Sequence, residues 1–212
     1  MKIGILTAME SEYKQFVSLQ SEGLKDRNIV VRKCGIGKVN AAVTTFDFIK
    51  QENPDIIFST GVAGGCGEDI EIMDVVFAES VSYHDVWCGK PNAKGQIQGL
   101  PEEFFAPKEI VSSIKQLNIP NVKFGKTVSG DWFVDTVEKM REIKNNFPDA
   151  LAVDMESAAI AQVCHIMQIP FISLRIISDI PLKENNHQQY KDFWKNIAEN
   201  SFETAKQIIL SI

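Results

Sequence analysis

Residues 53–65 read NPDIIFSTGVAGG, and this stretch decides the class of the fold. Asn53-Pro54 stops the segment before it, whose apolar residues recur at helical spacing, because proline cannot continue a helix. The apolar run Ile56–Phe58 has the length and composition of a buried strand. The glycines of Thr60–Gly65 permit either a close approach of a ligand to the backbone or a sharp loop. A helix, a stop, a strand and a glycine-rich turn in this order indicate an α/β protein.

The same alternation runs along the whole chain. Short apolar, β-branched runs predict strands at Lys2–Thr7, Ile29–Cys34, Asp55–Thr60, Asp74–Ser82, Val122–Val128, Leu151–Val153 and Phe171–Ser178. Helical spacing groups three apolar faces: Val39, Ala42, Val43, Phe46 and Ile49; Ile160, Val163, Cys164 and Met167; and Phe193, Trp194, Ile197, Ala198, Phe202, Ala205, Ile208 and Ile209. Helices over residues 39–50 and 157–168 end just before Asn53-Pro54 and Pro170.

This pattern predicts an α/β fold in one domain over residues 1–212. We expect three layers, α/β/α, around a central mixed, largely parallel, twisted sheet. Sheets of this kind bind their ligands at the carboxyl ends of the strands. The polar residues that follow each predicted strand are therefore the candidates for a functional site.

Composition excludes several classes of protein. Of the 212 residues, 44% are hydrophobic and 24% are charged, which suits a full core. The net charge of -6 argues against a nucleic-acid partner, because phosphate backbones require clustered Lys and Arg. Met1–Leu6 is too short for a signal peptide, and no stretch reaches the length of a membrane span. The four cysteines lack metal-ligand spacing, so we expect no metal and reduced thiols. We also expect no membrane partner and a cytoplasmic location.

Acidic residues follow two of the predicted strands. Glu10 and Glu12 come after the first strand, although acids are also common at helix starts because of the helix dipole. Asp154-Met155-Glu156 comes directly after Leu151–Val153, so its two carboxylates point the same way if the segment is extended. Asp154 could equally be a helix N-cap, with Glu156 a surface residue. From these residues alone, both interpretations remain.

The segment Phe171–Asp179 places an arginine inside an apolar strand and an acid at its end. A buried Arg175 requires a carboxylate or hydroxyl partner. Asp179 lies beside apolar neighbours, so it could have a raised pKa and act as an acid. A purely structural arginine–acid pair is the alternative, but it leaves Asp179 without a role.

Two further segments could contact a ligand. Gly35-Ile36-Gly37-Lys38 precedes a helix but lacks the third glycine of a dinucleotide motif and the Gly-Lys-Ser/Thr of a P-loop. A tight turn is the simpler interpretation of this segment. Trp132 and Phe133 follow another predicted strand, where they could cap the core or stack on a base.

The order of these segments resembles that of the bacterial 5′-methylthioadenosine/S-adenosylhomocysteine nucleosidases, a family of the purine nucleoside phosphorylase superfamily. The resemblance spans nearly the whole chain and rests on Met1–Glu12, Gly35–Val39, Thr60–Gly65, Tyr83-His84-Asp85, Ser129–Phe133, Asp154-Met155-Glu156 and Arg175–Asp179. It implies the phosphorylase/hydrolase-like version of the predicted fold. It also implies an enzyme that hydrolyses the N-glycosidic bond of an adenine nucleoside without a cofactor.

The resemblance assigns three catalytic residues. Glu12 matches the carboxylate that activates the hydrolytic water, and Asp179 matches the acid that protonates adenine at N7. Arg175 matches the residue that helps to hold the water and Glu12. Cleavage of a glycosidic bond does need an acid at the leaving group and a carboxylate that positions water. The two carboxyl groups must then titrate apart, with Glu12 ionised and Asp179 protonated.

The resemblance also assigns the contacts to sugar and base. Glu156 matches the acceptor for the ribose 2′- and 3′-hydroxyls, and Met155 matches the residue that packs on the sugar. Phe133 matches the aromatic beside adenine, and backbone groups of Val134 would read the Watson–Crick edge of the base.

The remaining substrate-binding expectations concern the acid and the 5′ end of the nucleoside. Ser178 would orient Asp179, and Tyr190 occupies the position of an aromatic that covers the 5′ substituent. Further binding positions in the matched segments are Ala8, Met9, Ile36 and Val62.

This chain departs from the family pattern in three places. Val62 stands where many relatives carry Ser, the segment between Glu12 and Gly35 is short enough to suggest a trimmed hairpin, and residues 86–103 diverge. In the family the last region lies at a dimer interface and completes the neighbour's 5′ pocket. We therefore expect a homodimer in which Cys88 and Pro101 reach the partner's pocket.

The make-up of this region gives a second reason to expect an interface. Trp87, Ile97, Leu100 and Phe104 lie among glycines in a long loop, and exposed apolar groups on a loop usually mark an interface. A flap that folds over its own pocket is the alternative.

Three other functions fit the sequence less well. A phosphorylase needs cationic groups or dense backbone donors for phosphate, and Ala8–Glu12 and Thr60–Gly65 contain no Arg or Lys. A non-catalytic nucleoside-binding module would lack Glu12 or Asp179, and both are present. A nicotinamide-dependent oxidoreductase is the most distant alternative, because the glycine pattern is incomplete.

Overall fold

Strands and helices alternate along the chain, as the sequence predicts. The computed structural model describes residues 1–20, 28–183, 185–196 and 202–212. Within these ranges the strands are β1 Lys2–Thr7, β2 Asn28–Lys33, β3 Ile56–Gly65, β4 Val75–Tyr83, β5 Phe104–Phe105, β6 Val122–Ser129, β7 Ala150–Asp154 and β8 Phe171–Asp179. The helices are α1 Glu10–Phe16, α2 Lys38–Glu52, α3 Lys108–Gln116, α4 Val137–Asn146, α5 Ser157–Met167, α6 Asn186–Asn196 and α7 Glu203–Ser211, with a 3₁₀ turn at Val17–Gln20.

The strands form one mixed sheet that closes on itself. β3 pairs with β8 and β7, β8 with β4, β4 with β6, and β6 with β7, so these five strands complete a ring. β1 pairs with β3 and carries β2 at its other side, while β5 pairs with β4. Five of the eight pairings are parallel, which confirms the prediction of a mixed, largely parallel sheet.

Apolar side chains cover the sheet on both faces. On one side, the aromatic rings of Phe16, Phe193 and Phe202 pack with strand residues such as Phe58. On the other side, Phe48 of α2 and the apolar residues of α5 pack against the opposite faces of the strands. All nine residues of β8 are buried, as expected for a strand covered on both faces. No helix in the described ranges is long and apolar enough to cross a membrane.

The three predicted apolar helix faces have different outcomes. The face of α5 is confirmed, since Ile160 and Cys164 are buried. In the third face, the buried members are Phe193, Phe202, Ala205, Ile208 and Ile209, and Trp194 is partly buried. Ile197 and Ala198 lie outside the described residues.

The predicted apolar face of α2 does lie on a helix, but it is mostly exposed. Val39, Val43 and Phe46 are at least half exposed, and Ile49 is the only buried member of the face. Apolar spacing shows that residues share a face of a helix, but it does not show that the same chain covers that face.

The glycine-rich segment Thr60–Gly65 is a strand and not a sharp loop. It continues β3 and pairs with β8 as far as Gly64, with a register shift between Ala63 and Gly64. One of its glycines, Gly61, leaves room beside the strand for the Glu12 carboxylate, as described below. The two-residue strand β5 has no counterpart among the predicted strands.

Candidate active site

A single pocket collects residues that follow β1, β2, β6, β7 and β8, together with the last part of β3. It is lined by Ala8, Met9, Glu12, Ile36, Val62, Ala63, Gly64, Trp132, Phe133, Val134, Val153, Asp154, Met155, Glu156, Ser178, Asp179 and Tyr190. The family resemblance assigns fifteen catalytic or substrate-binding residues, and twelve of them are in this set. Arg175, Cys88 and Pro101 are not.

Glu12 enters the pocket from the first turn of α1. The Ala8 and Met9 amides donate to its Oε2 and the Val62 amide donates to its Oε1, each at 2.9 Å. Burial raises the pKa of this carboxyl, and the three amides and the nearby positive charge of Arg175 oppose that rise. A carboxylate offers about four acceptor positions, so the three amides leave one of them, on Oε1, for another donor.

Glycine at position 61 makes room for the Glu12 carboxylate. A Cβ built on Gly61 would lie 2.4 Å from Oε1 of Glu12, closer than any real contact. The backbone there has φ +156°, which side chains rarely adopt. The sequence suggests that a ligand approaches these glycines, whereas at Gly61 the group that approaches is the protein's own carboxylate. Glu10, the other acid of the same turn, is exposed and pairs with Lys33 at 2.8 Å.

Asp179 is the last residue of β8 and is only 3% exposed. The Ser178 hydroxyl donates to its Oδ1 at 2.7 Å, a contact that can orient the carboxyl group. Burial raises the pKa of Asp179 to about 6, and Ser178 and Asn186 moderate the rise. A carboxyl group with a pKa in this range carries its proton in a useful part of the population near neutral pH.

Arg175 lies behind the pocket wall, where it has the partners that a buried arginine requires. Its Nε donates to Oδ2 of Asp154, and its Nη2 donates to the Ser59 hydroxyl at 2.6 Å. Its hydrogen bonds therefore go to Asp154, Ser59 and the Leu174 carbonyl, and it acts on Glu12 through its charge alone. The expected role of Arg175 in holding Glu12 would therefore be exerted through its charge, because its hydrogen bonds go to other groups.

The alternative in which Asp154 is a helix N-cap and Glu156 a surface residue is wrong, because Glu156 is itself the N-cap residue of α5 and is buried. Asp154 does accept from the amide of Ser157, the first residue of α5, at 3.2 Å. It also accepts from the hydroxyls of Ser129 and Ser157. With Arg175 these contacts satisfy a carboxylate that is buried at the end of β7.

Glu156 faces the pocket beside the turn that begins α2. The Gly37 amide donates to its Oε1 at 2.8 Å, across 119 residues of sequence. Burial and the neighbouring Asp154 carboxylate raise the pKa of Glu156, and the Gly37 amide opposes the rise. The glycines of this turn have positive φ at Gly35 and Gly37, which confirms the interpretation of a tight turn.

Aromatic rings form the wall opposite these acids. The rings of Phe133 and Tyr190 meet edge to face with centroids 5.7 Å apart, and the Tyr190 hydroxyl lies 3.7 Å from the Met9 sulfur. Trp132, which could cap the core or contact a base, also lines the pocket. Phe133 and Trp132 are about half exposed, so they are available to a flat ligand.

The parts of the site that sequence reasoning misses are mostly backbone and tertiary partners. Neither the amide clamp on Glu12 nor the Ser59 contact to Arg175 has a local motif. The one available signal is Ser59, which directly follows the apolar run Ile56–Phe58 in the same strand. A serine buried in a strand indicates a polar partner nearby. Cys88 and Pro101 are exposed and contribute nothing to the pocket of their own chain.

Comparison with known proteins identifies the family. A model of the phosphorylase superfamily matches residues 2–210. A 5′-methylthioadenosine/S-adenosylhomocysteine nucleosidase of Staphylococcus aureus (strain JH9) is 36% identical over 225 aligned positions, which cover 98% of each chain. This chain belongs to that nucleosidase family. The family resemblance seen in the sequence is thereby confirmed, and the chain is an N-glycosyl hydrolase.

Solved nucleosidase structures share the whole fold. The Neisseria meningitidis nucleosidase in complex with methylthio-immucillin-A superimposes with a TM-score of 0.86 at 31% identity, covering 100% of this chain and 99% of that one. A futalosine hydrolase mutant of Helicobacter pylori strain 26695 superimposes with a TM-score of 0.88 at 26% identity over 100% of both chains. Enzymes named for different nucleosides therefore share this fold, so the nucleoside must be argued from the pocket.

Proposed function

We propose that this nucleosidase hydrolyses the N-glycosidic bond of 5′-methylthioadenosine, S-adenosylhomocysteine or both, and releases adenine. The observation that carries the proposal is a pair of buried carboxyl groups, Glu12 and Asp179, in one pocket with different surroundings. The S. aureus relative is named for these two substrates. The N. meningitidis structure was solved with an immucillin that carries the methylthio group in its name.

Asp179 supplies the proton in this proposal. Departure of adenine as an anion is costly, and a proton placed on N7 makes the base a neutral leaving group. The proton comes from the Asp179 carboxyl, whose pKa of about 6 keeps part of it protonated near neutrality. The Ser178 hydroxyl fixes the orientation of the carboxyl towards the base.

Glu12 receives the proton of the attacking water. The three amides hold both of its oxygens, so the carboxylate cannot rotate away from the pocket. The acceptor position left on Oε1 is where a water can donate while its oxygen attacks the anomeric carbon. Arg175 supports the negative charge of Glu12 from behind the wall.

The remaining pocket residues suit the rest of an adenine nucleoside. The oxygen of Glu156 that the Gly37 amide does not occupy is available to the ribose hydroxyls, beside Met155. The aromatic wall at Phe133 and the backbone of Val134 suit the flat base, and Tyr190 covers the end of the pocket for the 5′ group.

Hydrolysis fits this pocket better than phosphorolysis. No residue that lines the pocket in the described part of the chain carries a cationic side chain, and the guanidinium of Arg175 is already paired with Asp154. A phosphate nucleophile would meet the negative Glu12 without a compensating charge.

An adenine-release screen tests the proposal. Adenosine, 5′-methylthioadenosine, S-adenosylhomocysteine and futalosine are supplied to the purified protein in phosphate-free buffer, and released base is measured by chromatography. We expect adenine from the first three, with the two sulfur-containing nucleosides preferred, and no rate increase on adding phosphate. A strict requirement for phosphate would establish a phosphorylase instead. Binding of all four nucleosides without any turnover would establish a non-catalytic binding module.

We also propose that the enzyme is a homodimer in which residues 86–103 of one chain complete the pocket of the other. None of these residues lines the pocket of its own chain, which argues against the flap alternative. The expectation that Ile97, Leu100 and Phe104 are exposed on this loop is wrong. Phe104 is buried, and Ile97 and Leu100 pack on the core, so Trp87 is the exposed one of the four apolar residues. The buried residues stabilise the loop's own conformation.

The exposed face of α2 supplies a stronger argument for a second copy. Val39, Val43 and Phe46 form an apolar row in which each side chain is at least half exposed, and the row begins beside the pocket residue Ile36. Apolar rows of this kind usually pack against a partner, and symmetric pairs are the commonest oligomers. Analytical ultracentrifugation at assay concentrations should find a dimer. A fully active monomer would remove the shared pocket.

If the partner's loop reaches the 5′ group, substitutions of Cys88 and Pro101 should change the ratio of rates for 5′-methylthioadenosine and S-adenosylhomocysteine. Adenine affinity should stay constant, because the base wall belongs to the other chain. A changed preference in a chain that remains monomeric would support the flap after all.

A further inference from the structure

The aromatic wall of the pocket is only partly fixed by burial. Residues 130–135 form neither helix nor strand, and Trp132 and Phe133 are 53% and 47% exposed. The Tyr190 ring meets Phe133 edge to face, and the Lys139 ammonium lies 4.7 Å from the centre of the Trp132 ring. Because a mobile wall would lose conformational entropy on binding a base, contacts that order the backbone of this segment beforehand would favour binding.

Asp131, directly before the two rings, is tied to two other loops. Its carboxylate accepts from the Lys38 amide at 2.8 Å, at the first residue of α2. Its own amide donates to Oδ2 of Asp85 at 2.9 Å, in the loop that follows β4. Asp131 therefore joins the segment that carries the rings to two other loops, through its side chain and through its backbone amide.

Lys38 closes this arrangement. Its ammonium group donates to the same Oδ2 of Asp85 at 2.7 Å, and the two side chains are only 26% and 27% exposed. Hydrogen bonds from Lys38 and the Asp131 amide hold the pKa of Asp85 below its ordinary value although burial works in the other direction. The lysine is therefore joined to Asp131 through its backbone and to Asp85 through its side chain.

The same turn also contacts the acid on the other side of the pocket. Gly37, next to Lys38, donates its amide to Glu156 at 2.8 Å. A Cβ on Gly37 would lie 3.0 Å from Oδ1 of Asp131, so glycine allows the loops to approach this closely. One turn therefore sets the distance between the aromatic wall and the Glu156 carboxylate.

We propose that Lys38, Asp85 and Asp131 form a latch that positions the aromatic wall for the adenine base. This inference rests on the proposed function for the identity of the base. The three residues touch no substrate and take no part in proton transfer. They keep Phe133 and Val134 in the binding geometry before the ligand arrives, so that the ligand does not have to order them.

A latch of this kind has a distinct kinetic signature. The base is present in substrate, transition state and product, so weaker positioning reduces the binding of all three to the same extent. A loss of uniform binding raises KM and leaves kcat unchanged. Binding of free adenine should weaken by the same factor as KM rises.

The test compares Lys38→Met with wild type. We expect KM for 5′-methylthioadenosine and the Kd of adenine, measured by calorimetry, each to rise about three- to tenfold, with kcat within about twofold. The thermal midpoint should change little, because one half-buried ion pair contributes little to folding. Lys38→Arg keeps the charge and should recover most of the lost affinity.

Lys115→Met is the matched control. Lys115 pairs with Glu79 at the same 2.7 Å, but at an exposed site outside the pocket. This variant should leave KM and adenine affinity unchanged. Asp85→Asn keeps an oxygen that can accept from both the Lys38 ammonium and the Asp131 amide and loses only the negative charge, so its effect should be smaller than that of Lys38→Met, which removes a donor.

Two results would overturn the latch. Adenine affinity of Lys38→Met within twofold of wild type is the first. The second is a parallel fall of kcat, affinity and thermal midpoint that Lys38→Arg does not rescue, which would mean a structural role. Failure of the proposed function is a separate result, because it would appear as a wild type that binds adenine but releases none from any nucleoside.

Discussion

Glu12 and Asp179 are equally buried in the same pocket, at 3% exposure each, yet the chain surrounds them differently. Three backbone amides donate to Glu12, and Arg175 lies near it. The Ser178 hydroxyl donates to Asp179, and the Asn186 side chain also moderates its pKa. Burial alone pushes both carboxyls towards the protonated form. The surroundings of Glu12 therefore hold more groups that favour the charged form, as the proposed division of labour between water and base requires.

The largest effect should come from removing the acid. Asp179→Asn keeps the shape of the side chain and loses the proton, so we expect kcat for adenine release to fall by roughly 10²–10⁴. Ligand affinity should stay within about an order of magnitude, because the amide still accepts from Ser178. Turnover near the wild-type rate on 5′-methylthioadenosine would remove Asp179 from the mechanism.

The two carboxyls should differ in sign when stability is measured. The folded-state pKa of Asp179, about 6, lies above its ordinary 3.8, so the carboxyl contributes stability below about pH 4 that is lost as pH rises through 6. Asp179→Asn should therefore gain up to about 3 kcal/mol in the free energy of unfolding at pH 8 and nothing at pH 4.

Glu12→Gln should lose stability at pH 8. An amide has one oxygen and one NH₂ group, so at least one backbone amide of the clamp would face another donor. Leaving a buried donor without an acceptor costs about 1–3 kcal/mol. Urea unfolding of both variants at pH 4 and pH 8 checks the contrast, and equal shifts in the same direction would contradict it.

The pH dependence of the reaction gives a third comparison. If Asp179 must be protonated in the free enzyme, kcat/KM falls about tenfold per pH unit above its pKa of about 6. Profiles from pH 4.5 to 9 on 5′-methylthioadenosine measure this. A flat profile between pH 6 and 8 would mean that the proton comes from elsewhere.

Glu156 is a third buried carboxyl group for this comparison, and the Gly37 amide donates to it. Glu156→Gln should weaken the binding of nucleosides with free 2′- and 3′-hydroxyls by about 1.5–3 kcal/mol, the usual value of a hydrogen bond to a charged acceptor. A 2′,3′-dideoxy analogue should lose less. Equal losses on both compounds would show that Glu156 does not hold the ribose.

The sequence predicts the parts of this molecule that local patterns control. The strand cores follow from apolar runs, and Asp179 is found because it ends such a run. The requirement for a partner of Arg175 also follows from its place in a strand. The identity of that partner does not, because Asp154 and Ser59 come from distant parts of the chain and are brought together only by the sheet.

Backbone groups and shared surfaces are the parts that the sequence does not predict. The Val62 amide clamps Glu12 from 50 residues away, and an amide has no residue type to recognise. The α2 row at Val39 and Phe46 has the spacing of a buried face and is exposed, because spacing carries no information on which chain covers it. The contact from the Lys38 amide to Asp131 is also a backbone contact, so no residue type marks it in the sequence.

The ring of five strands has a consequence for how the molecule opens. Every strand of a closed ring is bonded on both sides, so none of them can separate without breaking two ladders at once. Asp154 and Asp179 end strands of the ring, whereas Glu12 follows β1, which with β2 forms an arm outside it. Slow amide hydrogen exchange should then find the arm opening at lower free energy than the ring. The arm next to Glu12 can then loosen while the ring that carries Asp154 and Asp179 stays closed.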